Sequence, residues 1–475
     1  MDSTSPCDFG MIGLGVMGRN FLLNVADHQF QVMGYDLDQK KVKALQNEKE
    51  NEHIQATNDL SAFINSLKSP RKLMMLIPAG HAVDSVIDQV TPLLDEGDII
   101  IDGGNSHFKD TERRTSQLSQ QSIHFVGMGV SGGEQGARYG PSLMPGGERK
   151  AYELLRPILE SAAAKVKGVP CVAFLGKGSA GHYVKMVHNG IEYGIMQLLA
   201  EVYDILKRVG GLTDEELHQT FMLWNQGGLN SFLVEITAKI FAQPDDKVAG
   251  ERLINYILDS AKQKGTGKWT SQSAMDLGVA IPTIDAAVSM RYLSSLKNQR
   301  SSAANVLHAP GKQPHVNKDA FIKIAEEALH FSMLITYAQG FAMLKEASVD
   351  MEYELNLAEV AKIWRGGCII RAQMLDDFME VFSKSNELAN LMVAPSIAQH
   401  LNQESPSIRQ LLATCVQQGI PAAAMSASLS YFESYRTARL PSNLVQAQRD
   451  FFGAHTYERT DTDGVFHTRW GATQD

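Results

Sequence analysis

The sequence predicts an α/β domain with a doubly wound parallel sheet at the N-terminus, followed by a larger all-α domain and a C-terminal tail. Three observations predict this architecture. Short apolar runs alternate with helical patterns in residues 1–178, long amphipathic segments replace them in residues 179–440, and residues 441–475 end in a polar stretch. We therefore expect three parts with these boundaries.

The composition is that of an ordinary soluble globular protein and narrows the classes of partner. The 475 residues are 44% hydrophobic and carry a formal net charge of -9, which argues against nucleic acid or an anionic membrane as the main partner. Neither a secretory signal nor an apolar run of roughly 18 residues is visible. The cysteines lack CxxC spacing, which indicates reduced, mostly buried thiols in a cytoplasmic protein: Cys7, Cys171, Cys368 and Cys415.

The first strand and the loop after it carry a nucleotide-binding pattern. The apolar run Phe9–Ile12 leads into the glycine-rich residues 13–18, a helix at 19–25 and a second strand at 31–35. Strand, GxGxxG, helix, strand and acid within about 30 residues is the dinucleotide fingerprint of the Rossmann fold. The glycines let backbone N–H groups and the helix N-terminus meet a pyrophosphate. The predicted cofactor contacts are Gly13, Leu14, Gly15, Val16, Met17, Gly18, Asp36, Leu37 and Asp38.

Further strands end in polar loops. The predicted strands are 72–77, 98–102 and 124–129, and ligands of such sheets bind at the carboxyl ends of the strands. Asn105 follows the second of these strands, and Ser131, Gly132 and Gly133 follow the third. As alternatives, Asn105 could be a turn residue and the glycines plain turn chemistry. The loop after the first of these strands adds Ile77, Pro78 and Ala79 as candidate cofactor contacts, and Asn105 is a further candidate contact at the same sheet edge.

The helical part contains a faint internal repeat. Trp224-Asn225-Gln226-Gly227-Gly228 is similar to Trp364-Arg365-Gly366-Gly367, which suggests a duplicated helical unit. A second GxGxxG, at residues 176–181, lacks a following strand and acid, so we interpret it as a strand-to-helix turn. The predicted helices are 181–210, 213–226, 230–242, 282–307, 317–347, 355–382 and 405–440.

The first long helix has a polar face on an apolar background. Lys185, His188, Asn189 and Glu192 are spaced i, i+3, i+4 and i+7, which puts them on one face with the lysine and glutamate roughly 10 Å apart. Such charges are costly to bury unless a polar ligand lies between them. The alternative is a surface stripe with an ordinary Lys/Glu pair.

Three other segments supply cations. Residues 262–268 pack three lysines among glycines, as an anion-binding nest would, and Arg291 is bounded by apolar residues. Near the C-terminus, Arg449 and His455 flank an aromatic-glycine turn. A solvated basic loop, a paired core arginine and an ordinary helix cap are the alternatives. Together the cations favour a phosphorylated, carboxylated substrate.

Five long motifs carry a family resemblance. They are IIDGGNS at 100–106, GVSGGEQGARYGPSLMPGG at 129–147, KMVHNGIEY at 185–193, QKGTGKW at 263–269 and AQRDFFGAHTYE at 447–458. On these motifs the chain, from Asp8 to Trp470, resembles the decarboxylating 6-phosphogluconate dehydrogenases of the pentose phosphate pathway. The resemblance implies oxidative decarboxylation of 6-phospho-D-gluconate to D-ribulose 5-phosphate and CO2, with hydride transfer to a nicotinamide dinucleotide.

The resemblance also implies residue roles and an assembly. Lys185 would be the general base and Glu192 the general acid. Family members are homodimers whose C-terminal region reaches the partner's site, which implies that Arg449 and His455 act across the subunit boundary. The reaction needs no metal ion, and no metal-ligand cluster is recognised in the sequence. Substrate would contact Asn105, Ser131, Gly132, Gly133, His188 and Asn189, and its phosphate end Tyr193, Lys264, Thr266 and Arg291.

One departure from the family concerns cofactor choice. NADP-dependent members carry Asn-Arg-Ser/Thr where this chain has Asp36-Leu37-Asp38, so the arginine for the 2′-phosphate is absent. A carboxylate at this position prefers a free 2′-hydroxyl. Pro78, where relatives often have lysine, points the same way, although Lys40 and Lys41 could support some NADP binding. We expect NAD to be preferred over NADP.

Two other functions are compatible with parts of the sequence. A β-hydroxyacid dehydrogenase of the hydroxyisobutyrate type shares the fingerprint, the Ser-Gly-Gly turn and a lysine on the interdomain helix. Such chains are much shorter and lack the set Lys264, Arg291, Arg449 and His455. A catalytically inactive dinucleotide-binding regulator is the third possibility, and the intact Lys185 and Glu192 argue against it.

Overall fold

The structure is a computed structural model that describes residues 6–48, 52–263, 265–308, 310, 316–385 and 387–471. The chain forms two compact units that divide between Ser428 and Leu429. None of the described helices is long and apolar enough to cross a membrane. The four cysteines are free and buried, which confirms that prediction.

The first unit begins with a seven-stranded sheet in the order β3-β2-β1-β4-β5-β6-β7. Neighbouring strands pair in parallel except β6 and β7, which are antiparallel. The predicted Rossmann fold class is therefore confirmed. The strands are β1 Phe9–Ile12, β2 Val32–Tyr35, β3 Ile54–Thr57, β4 Lys72–Met75, β5 Ile99–Asp102, β6 His124–Ser131 and β7 Ser142–Gly146, with a separate hairpin of β8 Lys165–Val166 and β9 Val169–Pro170.

Helices cover both faces of the sheet, and strands β1, β2 and β5 are buried along their whole length. One apolar core contains residues of α1 and α7, and the other contains residues of α3 and α4. The strand ends Ile12, Tyr35, Met75 and Asp102 pair in register, so the loops after them open at one edge. The helices of this part are α1 Val16–Asp27, α2 Gln39–Gln46, α3 Leu60–Asn65, α4 His81–Val90, α5 Phe108–Ser119, α6 Gly133–Tyr139 and α7 Arg149–Ala162.

The rest of the first unit is helical. Its helices are α8 Ala180–Arg208, α9 Asp214–Trp224, α10 Phe232–Ala242, α11 Thr266–Asp276, α12 Pro282–Ser295, α13 Lys297–Ala304, α14 Lys318–Asp350, α15 Leu357–Trp364, α16 Met374–Lys384, α17 Pro395–Gln418 and α18 Ala423–Tyr435, the last of which continues into the second unit. α8 packs along α14 at very short range, because a Cβ on Gly194 would lie 2.6 Å from Thr336 Cγ2 and one on Gly340 2.5 Å from Ile191 Cδ1.

Several predicted helices are wrong in extent. The segment 405–440 divides at Gly419, whose φ of 65° is left-handed and ends α17. The segment 282–307 divides at Leu296, and 355–382 divides after Trp364. The basic segment 262–268 was predicted to be a loop. Its residues from Thr266 onward belong to α11, a helix that was not predicted.

The two similar segments that begin with tryptophan and end in Gly-Gly, 224–228 and 364–367 (the Trp-Gly-Gly motifs), occupy matching places in the fold. Trp224 ends α9 and Trp364 ends α15, and both indoles are buried. The chain segments that follow them meet in an antiparallel bridge between Ser231 and Ala372. The order of a long helix, a helix ending in tryptophan and a further helix occurs twice, in α8–α10 and α14–α16, which supports a duplicated unit.

The second unit is organised by Asp450. It contains α19 Ser442–Gly453 and a hairpin of β10 Tyr457–Glu458 and β11 Val465–Phe466. The Asp450 carboxylate accepts hydrogen bonds from the amides of Thr456 and Thr468 and from the Trp470 indole. Burial alone would raise the pKa of Asp450, but His467 and these donors lower it to about 2. The segment predicted to be a tail is therefore ordered within its own unit as far as Trp470.

Candidate active site

The N-terminal half of α8 lies directly against the sheet. A Cβ on Gly181 would lie 2.2 Å from the carbonyl oxygen of Gly127 and 2.3 Å from that of Met144. One on Gly129, in β6, would lie 2.4 Å from Lys185 Cβ. Glycine at these positions lets the helix and the strands approach closely, and Gly129 leaves the space that the Lys185 side chain occupies.

Four predicted side chains of α8 form one cluster. Lys185 Nζ lies 3.4 Å from His188 Nδ1. The same ring nitrogen lies 3.2 Å from Asn189 Oδ1 and 3.8 Å from Glu192 Oε2. His188 is fully buried and Lys185 is 7% exposed, whereas the Glu192 side chain is 23% exposed. The surface-stripe alternative is therefore wrong, and His188 lies between a buried lysine and a more accessible glutamate.

Burial controls the charges of this cluster. It lowers the pKa of Lys185, against the attraction of Glu192. It raises the pKa of Glu192, against the attraction of Lys185 and Arg291. Burial, with the nearby lysine, holds the pKa of His188 well below its usual value. The cluster can therefore offer an amine that accepts a proton, a carboxyl that donates one and a neutral imidazole.

A small cavity brings predicted residues from three elements together. Asn105 follows β5, Lys185 and Asn189 lie on α8, and Thr266 begins α11. These elements are far apart in sequence, so their meeting could be inferred only from the family motifs. The cavity is also lined by residues that were not predicted: Ser106, His182, Met186 and Trp269.

A buried network supports the loop that carries Asn105. Asp102 accepts hydrogen bonds from Ser106 Oγ at 2.6 Å and from Arg114 Nη1 at 3.3 Å. His182 Nε2 lies 3.0 Å from the Asp102 carbonyl oxygen, and burial lowers the pKa of this histidine. The network ties β5 and α5 to α8. The DGGNS motif indicated in the sequence that the loop after β5 is important. No sequence pattern indicated its partners on other helices, Arg114 and His182.

The turn at residues 131–133 contacts both α8 and the segment after α15. Ser131 Oγ lies 3.2 Å from His188 Nε2. A Cβ on Gly132 would lie 2.5 Å from the carbonyl oxygen of Gly367. The next residue, Cys368, is fully enclosed, and burial raises the pKa of its thiol to about 12 although Lys185 lowers it. Sequence reasoning missed this contribution of residues 367–368, although the repeated Trp-Gly-Gly motif drew attention to the segment.

Two of the predicted phosphate-binding residues, Tyr193 and Arg291, lie in contact with each other. The Arg291 guanidinium lies 3.9 Å from the centre of the Tyr193 ring, and a Cβ on Gly267 would touch that ring at 2.5 Å. Lys264 lies outside the described residues. Arg449 and His455 belong to the second unit, where Arg449 Nη1 donates to Gln446 Oε1 at 3.1 Å and the His455 ring packs edge-on against Phe452.

The glycine-rich loop fits a dinucleotide. Gly13 has a φ of 97°, and a Cβ on Gly15 would meet no atom within 4 Å. Gly15 immediately precedes α1, and no side chain caps that helix. The N–H groups of the first turn are thus available to an anion. The loop 77–79 lies beside it, since a Cβ on Gly13 would lie 2.7 Å from Ile77 Cγ2.

Asp36 is bound to the loop itself. Its carboxylate accepts hydrogen bonds from the amides of Leu14 at 2.8 Å and Asp38 at 2.9 Å, and Lys41 Nζ lies 3.2 Å away. Burial alone would raise the pKa of Asp36, but these partners lower it. Leu37 is 81% exposed, and Asp38 caps α2 through the Lys40 amide. A negative charge therefore stands beside the glycine-rich loop, with one lysine next to it.

Comparisons with known proteins cover both parts of the chain. The NAD binding domain of 6-phosphogluconate dehydrogenase matches residues 8–176, and the C-terminal domain of 6-phosphogluconate dehydrogenase matches residues 181–470. The chain is 48% identical over 467 residues to the NADP(+)-dependent, decarboxylating 6-phosphogluconate dehydrogenase of Bacillus subtilis, covering 98% of this chain and 99% of that one. It is 48% identical over 467 residues to the decarboxylating enzyme of Escherichia coli K12, with the same coverage.

A solved structure matches over nearly the whole chain. It is the Plasmodium falciparum 6-phosphogluconate dehydrogenase, described in its apo form, with its cofactor NADP+ and with its substrate 6-phosphogluconate. The TM-score is 0.95 at 42% sequence identity, and the match covers 98% of this chain and 100% of that one.

Proposed function

Because the chain belongs to the 6-phosphogluconate dehydrogenase family, we propose that it catalyses the oxidative decarboxylation of 6-phospho-D-gluconate to D-ribulose 5-phosphate and CO2. The single observation that carries the mechanism is the buried Lys185 beside His188 and Glu192 on one face of α8. The near-complete coverage of these relatives favours this function over the hydroxyisobutyrate type.

The cofactor is a nicotinamide dinucleotide, which accepts a hydride from the substrate when bound. The N–H groups at the start of α1 and the open space at Gly15 would hold its pyrophosphate. The loops after β4 and β5, which contain Ile77 and Asn105 respectively, open at the same sheet edge and would border the nicotinamide half. The full set proposed is Gly13, Leu14, Gly15, Val16, Met17, Gly18, Asp36, Leu37, Asp38, Ile77, Pro78, Ala79 and Asn105.

Lys185 is the proposed general base. An amine accepts the proton of the C3 hydroxyl only in its neutral form, and burial favours that form because it lowers the pKa of Lys185. Once protonated, the same ammonium can polarise the new carbonyl oxygen at C3. A β-keto acid loses CO2 readily when that carbonyl is polarised, so one residue serves both steps.

Glu192 is the proposed general acid. Loss of CO2 leaves an enediol that must gain a proton at C1, which calls for an acid displaced from the base along the substrate. Glu192 lies two helical turns beyond Lys185, and burial raises its pKa, which keeps the carboxyl protonated to higher pH.

The proposed substrate contacts surround these two residues. The cavity that Asn105, Asn189 and Thr266 line offers amide and hydroxyl groups for the sugar hydroxyls and carboxylate. The planar guanidinium of Arg291 would pair with the phosphate. The remaining proposed contacts are Ser131, Gly132, Gly133, His188, Tyr193 and Lys264, together with Arg449 and His455.

We also propose that the enzyme is a cytoplasmic homodimer in which Arg449 and His455 complete the partner's site. The second unit exposes several large apolar side chains, as a surface covered by another subunit would. They are Leu444, Val445, Phe451 and Phe452. The buried, unpaired thiols support a reducing compartment.

The finer proposal on the cofactor is a preference for NAD. It rests on the Asp36 carboxylate, which a 2′-phosphate would meet at close range, and on the lack of arginine at position 37. The Bacillus subtilis and Plasmodium falciparum relatives are described with NADP+, and Lys41 beside Asp36 is a cation that NADP could use. The ratio of kcat/KM for the two cofactors decides this point: a larger value for NADP would overturn the preference.

The experiment that tests the function compares substrates. Purified protein should reduce NAD or NADP with 6-phosphogluconate and release one CO2 for each dinucleotide reduced. It should show negligible activity with 3-hydroxyisobutyrate. Reduction of the dinucleotide with 3-hydroxyisobutyrate but not with 6-phosphogluconate would contradict the assignment.

A further inference from the structure

Three side chains of types that commonly bind metal ions lie close together between α14 and α17. His330 lies on α14, and His400 and Glu404 lie one turn apart on α17. One ligand atom from each residue lies within 4.8 Å of the others. Two imidazoles and a carboxylate are a donor set that suits first-row divalent ions such as Zn²⁺.

The distances within the cluster are close to those of a metal site. His330 Nδ1 lies 2.8 Å from Glu404 Oε1 and 2.9 Å from Oε2. His400 Nδ1 lies 3.9 Å from Glu404 Oε1. Ligand atoms of a tetrahedral zinc ion, with bonds of about 2.1 Å, are about 3.4 Å apart. Shifts of about half an ångström would therefore open one short contact, close one long contact and admit the ion.

The surroundings favour a cation. Among the described residues, Glu404 forms ion pairs with His330 and His400 and with no lysine or arginine. Glu326, one turn before His330, is half-buried, and burial together with Glu327 and Glu404 raises its pKa against the opposing attraction of Lys323 and His330. Carboxylates that repel one another in this way gain from a bound divalent ion.

The cluster is also accessible. The side chains of His330 and Glu404 are 13% exposed, whereas that of His400 is 52% exposed. An ion can enter past His400, and the open side leaves a fourth position for water. The other edge of the His330 ring is closed, since a Cβ on Gly228 would lie 3.6 Å from His330 Nε2. His330 is thus left to use Nδ1, and Nδ1 is also the nitrogen of His400 that faces Glu404.

We propose that His330, His400 and Glu404 bind one Zn²⁺ ion that clamps α14 to α17. The ion lies between His330 Nδ1, His400 Nδ1 and the Glu404 carboxylate. α14 also packs against α8 through Thr336 and Gly340, so the ion stabilises the helix that supports the proposed active site. Its role is structural and independent of the dehydrogenase reaction.

Metal titration of the full-length protein tests this proposal. Protein stripped with a chelator is titrated with Zn²⁺, and with Co²⁺ as a visible-absorption probe, while Tm is followed. We expect one ion bound per chain, a rise in Tm with Zn²⁺ and the absorption bands of four-coordinate Co²⁺. His400→Ala should weaken binding at least about tenfold, because one of three ligands is lost.

A matched control separates this site from ordinary histidine binding. His81 is exposed at the start of α4, so His81→Ala should bind the ions as the parent does. Glu404→Gln, which retains the shape of the side chain, should weaken binding as His400→Ala does. Absence of saturable binding by the parent protein, or equal affinity in His400→Ala and the parent, would overturn the proposal.

Discussion

Lys185 and Glu192 share one face of an apolar helix, and burial moves their pKa values in opposite directions. The lysine loses its proton more easily than in water, and the glutamate keeps its proton to higher pH. His188 between them is neutral because burial and the nearby lysine hold its pKa far below the usual value. At the scale of residues, the cluster suits proton exchange better than a static ion pair.

The first prediction concerns the pH dependence of kcat/KM. The base must be neutral and the acid protonated, so activity should fall at low pH as Lys185 gains a proton and at high pH as Glu192 loses one. The two limbs belong to the coupled pair and should lie closer to neutrality than 4.5 and 10.5, the ordinary pKa values of the two groups. The measurement is a pH–rate profile with 6-phosphogluconate.

Glu192→Gln removes one limb of that profile. Its residual activity should rise with pH through the pKa of Lys185 and then stay level, because glutamine does not ionise. The control is Glu354→Gln, an exposed glutamate paired with Lys177, which should keep both limbs. A fall at high pH that persists in Glu192→Gln would show that another group is the acid.

The residue types and their helical spacing predicted the α8 cluster correctly as a set of neighbours. Asn105, Asn189 and Thr266 do line one cavity with Lys185, but this could be inferred only from the family motifs. Trp269 and Cys368 were missed because they lie far from α8 in the sequence, whereas Ser106 and His182 were overlooked although they lie next to Asn105 and one turn before Lys185. Proximity in space between distant segments leaves no periodic pattern in one sequence.

At the scale of elements, α8 is positioned by its glycine contacts with β6 and β7. Gly129→Ala is predicted to lower kcat about tenfold or more, because the new methyl group would lie 2.4 Å from Lys185 Cβ and displace the amine. KM for the dinucleotide should stay unchanged, since the glycine-rich loop is not touched. Steady-state kinetics measure kcat and KM, and Tm shows whether the substitution also destabilises the fold.

A matched glycine variant serves as the control. A Cβ on Gly227 would meet only the Trp224 carbonyl oxygen, at an ordinary 3.8 Å. Gly227→Ala should therefore keep kcat close to that of the parent. Equal kcat values for Gly129→Ala and the parent would show that the close contact does not position Lys185.

The strongly periodic elements were predictable and the irregular ones were not. β1 was predicted with its observed ends, and α8 within two residues of them, because apolar runs and helical periodicity are local. β7 was missed because Ser142–Gly146 contains a proline and a glycine and pairs antiparallel at the sheet edge. α11 was missed because its first turn is rich in glycine and lysine, which we interpreted only as an anion nest.

For the whole molecule, we propose that two chains share each active site. If Arg449 acts in the partner's site, a heterodimer of Lys185→Ala and Arg449→Ala chains contains one site with both residues intact. Mixed dimers should therefore recover about half of the parent activity per dimer, although each variant alone is nearly inactive.

Differently tagged chains allow the mixed dimer to be purified and assayed. A mixed dimer without activity would mean that Arg449 serves the site of its own chain, because then neither site is complete. The control replaces Arg449→Ala with Arg459→Ala. Arg459 is exposed and paired with Asp461, so the Arg459→Ala chain should be active by itself.

The turnover of Lys185→Ala tests whether Lys185 is the base for oxidation. With 6-phosphogluconate and either dinucleotide, the parent should form reduced dinucleotide and CO2 in equal amounts. Lys185→Ala should lose both by a factor of about 10² to 10⁴, while Lys177→Ala, at an exposed lysine, should lose neither. Formation of both products by Lys185→Ala at the parent's rate would show that Lys185 is not the base.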